Sequence, residues 1–294
     1  MFIGVVCGLT AAVMQSVSYI FSRMFISRHG SAFHLSICSQ VLMGVMGIIL
    51  AGISLAFVTY PVSWKYFLLA VAWLVSYVMA QSSFFIALKS VEASRLSSLL
   101  GLKIIALAII AMLFGGSLTP VRWLAVVLCT ISAVGMNFTG GKLSVKSCFW
   151  IGMAVLSYAL CDLSCTEMMK MMPQENMIHN SFAVVGISYA MLGVFSLPVL
   201  FFVPRKREYL RDALPFSLAW FVSMIFLLTA FGTLGVIYGT ILQSGRGIAS
   251  VVIGIILLKL GFENLEPRVG RKAWIRRMIM AVLMLCAMAM YSRG

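Results

Sequence analysis

Apolar residues run through this chain in stretches of about 20, and each stretch ends at a short polar or helix-breaking segment. An α-helix rises about 1.5 Å per residue, so a stretch of that length matches the roughly 30 Å of hydrocarbon in a bilayer. The pattern predicts ten membrane helices, at about residues 2–22, 34–58, 66–88, 94–114, 121–139, 149–169, 180–203, 214–233, 237–258 and 273–292. Separators include Arg28-His29-Gly30-Ser31, Thr59-Tyr60-Pro61, Gly115-Gly116, Gly140-Gly141-Lys142, Pro173-Gln174-Glu175-Asn176 and Pro204-Arg205-Lys206-Arg207. Each carries the glycine, proline or charge that stops a helix at a membrane face. The runs are too long and too continuous to be barrel strands.

Composition strengthens this reading. Of 294 residues, 62% are hydrophobic and only 10% charged, more apolar surface than a soluble fold hides. The net charge of +14 is not gathered in one basic stripe but lies between the apolar runs, which argues against a nucleic-acid partner. Sixteen of the 22 lysines and arginines, among them Arg23, Arg28, Lys89, Lys142, Arg205, Arg211, Arg268 and Arg276, fall on the side of the odd-numbered loops; Lys65, Arg122, Lys170 and Arg293 fall opposite. The positive-inside rule then puts both termini outside the cytoplasm, and the predicted location is a bacterial inner membrane. The seven cysteines lie in apolar runs with neither disulfide nor zinc spacing. The first apolar stretch lacks a basic leader and continues into further spans, as an uncleaved helix would.

A shift of 143 residues lays predicted helices 6, 8 and 9 over helices 1, 3 and 4, and the last helix needs about 13 residues more. It sets Lys103 against Arg246, Tyr77 against Trp220, Gln15 against Tyr158, and Tyr19 against Asp162. Residues 1–143 and 144–294 are therefore predicted to be two repeats of five helices. Five is odd, so the second copy crosses the membrane in the opposite sense, the inverted repeat that many secondary transporters use to alternate access around a midplane site.

Lys103, Asp162 and Arg246 lie deep within predicted helices, where a charge costs roughly 2.5–3.5 kcal/mol on insertion scales. All three should face protein or a wet pathway. The two cations either recognise an anionic group of a substrate, or one of them neutralises Asp162 while the other packs. Asp162 in turn either exchanges a proton during transport or stays ionised as a partner. Gly245 and Gly247 flank Arg246 and permit local unwinding there; close packing of helices accounts for them equally well. Gln15 and Tyr19 on the first predicted helix mirror Tyr158 and Asp162 on the sixth. Trp73, Tyr77 and Gln81 form a stripe on the third, and Trp220 with Ser223 one on the eighth. Gln243 precedes Arg246 by three residues. Gln15, Tyr19, Tyr77, Gln81, Tyr158, Trp220 and Gln243 thus join the three ionisable residues as candidate substrate-binding or coupling positions; for the aromatics, core packing is the competing explanation.

The stretch Ala87-Leu88-Lys89-Ser90-Val91-Glu92-Ala93-Ser94-Arg95-Leu96, the Gly115-Gly116-Ser117-Leu118-Thr119 break and Gly239-Thr240-Ile241-Leu242-Gln243-Ser244 resemble, in order and spacing, the drug/metabolite transporter superfamily and its EamA-type ten-helix proteins. Leu102-Lys103 and Gly116 depart from that pattern, standing where the family often has a proline and a glutamate. The resemblance implies an all-α membrane fold of two inverted five-helix halves and passage of metabolites through a central cavity. No P-loop, catalytic triad, paired catalytic carboxylates or metal-ligand spacing is present, so an enzyme is not expected and neither is a cofactor or metal. The reading is a secondary transporter or facilitator for a small polar metabolite, anionic or zwitterionic, sufficient as a monomer and surrounded by lipid. A flippase for a lipid-linked headgroup, or a subunit of one, is the alternative.

Overall fold

The structure, a computed structural model, describes residues 1–88, 99–113, 117–136, 143–173, 176–202, 207–259 and 271–294. Residues 89–96 of the family-like stretch, Gly115, Gly116, Lys142, Arg205, Lys206 and Arg268 lie outside them. In chain order the helices are α1 (Phe2–His29), α2 (Ala32–Ser54), α3 (Trp64–Leu88), α4 (Lys103–Leu113), α5 (Pro120–Met136), α6 (Val145–Lys170), α7 (Met177–Leu200), α8 (Arg207–Leu234), α9 (Val236–Ser244), α10 (Arg246–Lys259) and α11 (Arg271–Arg293). Among the described residues there is no strand.

Local chemistry sets the helix ends. Ser31, Ser144 and Asn176 accept from the backbone N–H groups of His34, Ser147 and Ile178, capping α2, α6 and α7. Gly30 closes α1 at φ 70°, and its N–H donates to Ile26 C=O at 2.8 Å. Gly235 forms the single-residue corner between α8 and α9 at φ 84° and ψ 156°, a conformation open in practice to glycine alone.

Among the described residues seven helices are long and apolar enough to cross a membrane: α1, α2, α6, α7, α8, residues Trp64–Phe84 of α3 and residues Ile275–Arg293 of α11. They mark the chain as a multi-pass integral membrane protein. The remaining predicted spans are shorter or broken. Leu100–Leu113 and Pro120–Met136 are short apolar helices, and the predicted continuous helix over residues 237–258 divides at Gly245 into α9 and α10.

Side chains are sorted inside out relative to a soluble protein. Ile48, Ile53, Leu160, Val194 and Val282 point outward, whereas Gln15, Ser18, Ser132, Ser196, Ser217 and Ser223 are buried. Many of these hydroxyls donate to a carbonyl one turn back, as Ser18 does to Gln15 C=O at 2.7 Å and Ser217 to Ala213 C=O at 2.8 Å. That satisfies them without water.

The four most extensive helix pairings are α2 with α7, α1 with α8, α3 with α6, and α5 with α11. Each joins a helix before residue 143 to one after it. Along α2 and α7 the backbones approach at Gly44 and Gly193, where a Cβ on either glycine would collide with the other's Cα. Small residues allow this contact, which in lipid replaces the missing hydrophobic drive between helices. At one end of the bundle a satellite cluster of Phe25, Leu35, Ile37, Cys38, Tyr209 and Ala213 ties α1 and α2 to the start of α8. Beside it His29 Nε2 meets Asp212 Oδ2 at 3.0 Å.

Candidate functional site

Two helix discontinuities organise the centre. A 3₁₀ turn, Leu100–Leu102, leads into α4, and Lys103 is the first residue of the α-helix that follows; its N–H reaches Leu100 C=O three residues back. Gly245 likewise donates to Leu242 C=O, three residues back, at 3.0 Å, and Arg246 opens α10. Each turn tightens from i−4 to i−3 bonding, the local form that often accompanies hinges and sites. Both helices thus restart on a cation, and those cations are 143 residues apart, the offset of the sequence repeat.

The cations have different surroundings. Lys103 is 9% exposed and Asp162, on α6, is 7% exposed. Lys103 Nζ donates to Asp162 Oδ2 at 2.5 Å and to Gln243 Oε1 at 3.0 Å. Arg246 is half-buried. Its Nη1 lies 3.5 Å from Gln15 Oε1 and 3.4 Å from Tyr19 OH, and its guanidinium carbon stands 5.9 Å from the centre of the Tyr19 ring. Ser16 Oγ donates to the Arg246 carbonyl at 2.9 Å, fastening the break to α1. Gln243 Nε2 donates to Gln15 Oε1 at 3.1 Å. One hydrogen-bonded chain therefore runs Asp162, Lys103, Gln243, Gln15, Arg246, Tyr19, and crosses between α6, α4, α9, α1 and α10.

Four of the eight acidic residues are among the described residues: Asp162, Glu167, Glu208 and Asp212. Asp162 is bound to Lys103, Glu167 pairs with Lys170, and Asp212 is held by His29, Arg28 and Arg211. None of the four forms an ion pair with Arg246. Asp162 and Tyr158 lie within electrostatic reach of it, while its side-chain hydrogen bonds go to Gln15 and Tyr19. Taking the formal charges of Lys103, Asp162 and Arg246, the centre keeps one positive charge without a direct partner.

The remaining candidates separate into two groups. Tyr19, Tyr158 and Trp220 are half-buried around Arg246; the Tyr19 and Trp220 rings meet edge-on at 6.1 Å. Tyr77 is buried in the core, stacked on Trp73 at 5.2 Å, and accepts from Gln81 Nε2 at 3.3 Å. That stripe is packing, with Gln81 at its half-buried end. Two residues the sequence reading passed over support the site: Ser16, and Tyr189 on α7, whose OH accepts from Trp220 Nε1 at 3.0 Å and fixes the indole. Ser16 adjoins Gln15 and was within reach of the sequence pattern; Tyr189 sits in an apolar run with nothing to single it out. Among the described residues no group of three or more His, Cys, Asp or Glu could hold a metal ion.

No protein-family model matches the chain, and no curated protein does. A solved structure, described only as the crystal structure of a protein, is similar in fold: TM-score 0.66 at 15% sequence identity, over 98% of this chain and 95% of the other. The likeness extends over nearly the whole of both chains and concerns the fold alone.

Proposed function

We propose that the protein is a secondary transporter or facilitator of the drug/metabolite type, built from two inverted five-helix repeats at residues 1–143 and 144–294, that moves a small anionic or zwitterionic metabolite by alternating access. The observation that carries this reading is Arg246: an ionised side chain at the start of a broken helix, with no carboxylate among the described residues bound to it. Charges in hydrocarbon are expensive, and one kept without a fixed partner has its use when a solute supplies the partner.

The repeat reading draws on the packing. Exchanging the halves turns the α1–α8 pairing into α6–α3 and returns the α2–α7 and α5–α11 pairings to themselves. The same exchange turns the contact of Lys103 with Asp162 into that of Arg246 with Tyr19. Asp162 is a fixed partner for Lys103 in this account, not a coupling carboxylate.

The experiment is uptake of a mixed metabolite pool into liposomes carrying the purified protein, read by mass spectrometry. Uptake of an anionic or zwitterionic component in the wild type, lost with Arg246→Ala, is the expected result. Equal contents in protein-containing and empty liposomes would remove the transport reading.

A further inference from the structure

The centre of the bundle selects its ligand by charge. We infer that the site at Arg246 receives one carboxylate of unit negative charge, gripped by the Arg246 guanidinium and the Gln15 side-chain amide, and that it rejects dianions. The inference rests on the transport reading only for the route by which solute arrives.

Three observations support it. First, Lys103 is spent: its ammonium donates to Asp162 and Gln243, so it offers nothing to an incoming anion. The unit positive charge left at Arg246 pairs with a single carboxylate, that of a monoanion or that of a zwitterion. A dianion would leave a negative charge among buried apolar side chains, and a neutral amide would leave the positive one. Second, the Arg246 contacts at 3.4 and 3.5 Å are long for charged N–H···O bonds, which run about 2.7–2.9 Å. The guanidinium fork is therefore loosely held, and its two parallel N–H bonds suit the two oxygens of a carboxylate. Third, Gln15 is 0% exposed and its Nε2 has no hydrogen-bond partner. Its Oε1 is fixed by Gln243 and Arg246 together, so the amide cannot turn to relieve that donor. Oε1 and Nε2 share one carbon, which places the unspent N–H beside the guanidinium. A buried donor without an acceptor is a standing cost that a carboxylate oxygen relieves. The half-buried rings of Tyr19 and Trp220 adjoin the site and favour a flat group behind the carboxylate.

The test is thermal unfolding of the intact purified chain in detergent against five probes: benzoate, phenylalanine, succinate, inorganic phosphate and benzamide. Benzoate, phenylalanine or both should raise the unfolding temperature saturably; succinate, phosphate and benzamide should leave it in place. A response to benzoate alone indicates a free monoanion, to phenylalanine alone a zwitterion, and to both the carboxylate itself. Arg246→Gln should weaken the response about tenfold or more, and Arg246→Lys, which keeps the charge and loses the fork, by less.

Succinate or phosphate binding as tightly as the monocarboxylates would overturn the inference. So would a benzoate response that survives Arg246→Gln, or no response to either monocarboxylate. Binding without flux into liposomes leaves the inference standing and removes the transport reading; flux of a dicarboxylate dianion that is lost with Arg246→Ala does the reverse.

Discussion

The two helix breaks lie 143 residues apart, the offset of the proposed repeat, and their cations have opposite fates. At the first, Lys103 meets a carboxylate and a glutamine and is 9% exposed. At the second, Arg246 meets a phenol and a glutamine oxygen at longer range and stays half-buried. One substitution accounts for the contrast: where α6 carries Asp162, the equivalent position of α1 carries Tyr19. On the proposed repeat, two matching positions each carry a cation, and a single acidic residue separates the paired one from the one we propose as a receptor.

The largest effect should come from the strut. Lys103→Met or Asp162→Ala strands one buried charge and should cost about 3–5 kcal/mol in unfolding free energy. Lys103→Met with Asp162→Leu should recover most of that loss, as a double-mutant cycle in detergent would measure. Next, Gly44→Val forces apart α2 and α7, a pairing that exchange of the halves leaves in place, and should cost about 1–3 kcal/mol. Because it disturbs neither cation, the relative responses to benzoate and succinate should stay as in the wild type. Trp220→Phe removes the bond to Tyr189 and should cost about 1 kcal/mol, with weaker benzoate binding from the Arg246 side. Smallest in stability is Arg246→Met, within about 0.5 kcal/mol of wild type because no ion pair is broken. If its cost matched that of Lys103→Met, the two breaks would be alike and the contrast would fail.

Much of this was legible from residues alone. Hydrocarbon penalises charge, so Lys103, Asp162 and Arg246 stood out as ions within predicted helices, whereas Gly245 and Gly247 fitted a packed helix as well as a broken one and left the separation of α10 from α9 open. The break before Lys103 was not legible, because Leu100-Gly101-Leu102 reads as ordinary apolar helix and a change from i−4 to i−3 bonding leaves no signature there. The partner of Asp162 was also beyond reach. Either cation satisfies the charge pattern, and only the packing of α4 against α6 selects Lys103. The aromatic stripe of Trp73 and Tyr77 shows the opposite failure: helical spacing places residues on one face without telling a cavity wall from a packed core. Among the described residues seven of the ten apolar runs are helices of full spanning length, and the run over residues 237–258 is not one of them because hydropathy counts residues and is blind to a helix that breaks mid-run.

The most direct measurement is counterflow of labelled benzoate or phenylalanine, whichever raises the unfolding temperature, in liposomes carrying wild type or Tyr19→Asp. The substitution gives Arg246 the fixed carboxylate that Asp162 gives Lys103, and so closes the receptor while leaving the strut intact. The account predicts accumulation of label by the wild type and a loss of about tenfold or more in the variant, which should unfold at or above the wild-type temperature. Accumulation by Tyr19→Asp equal to wild type would contradict it.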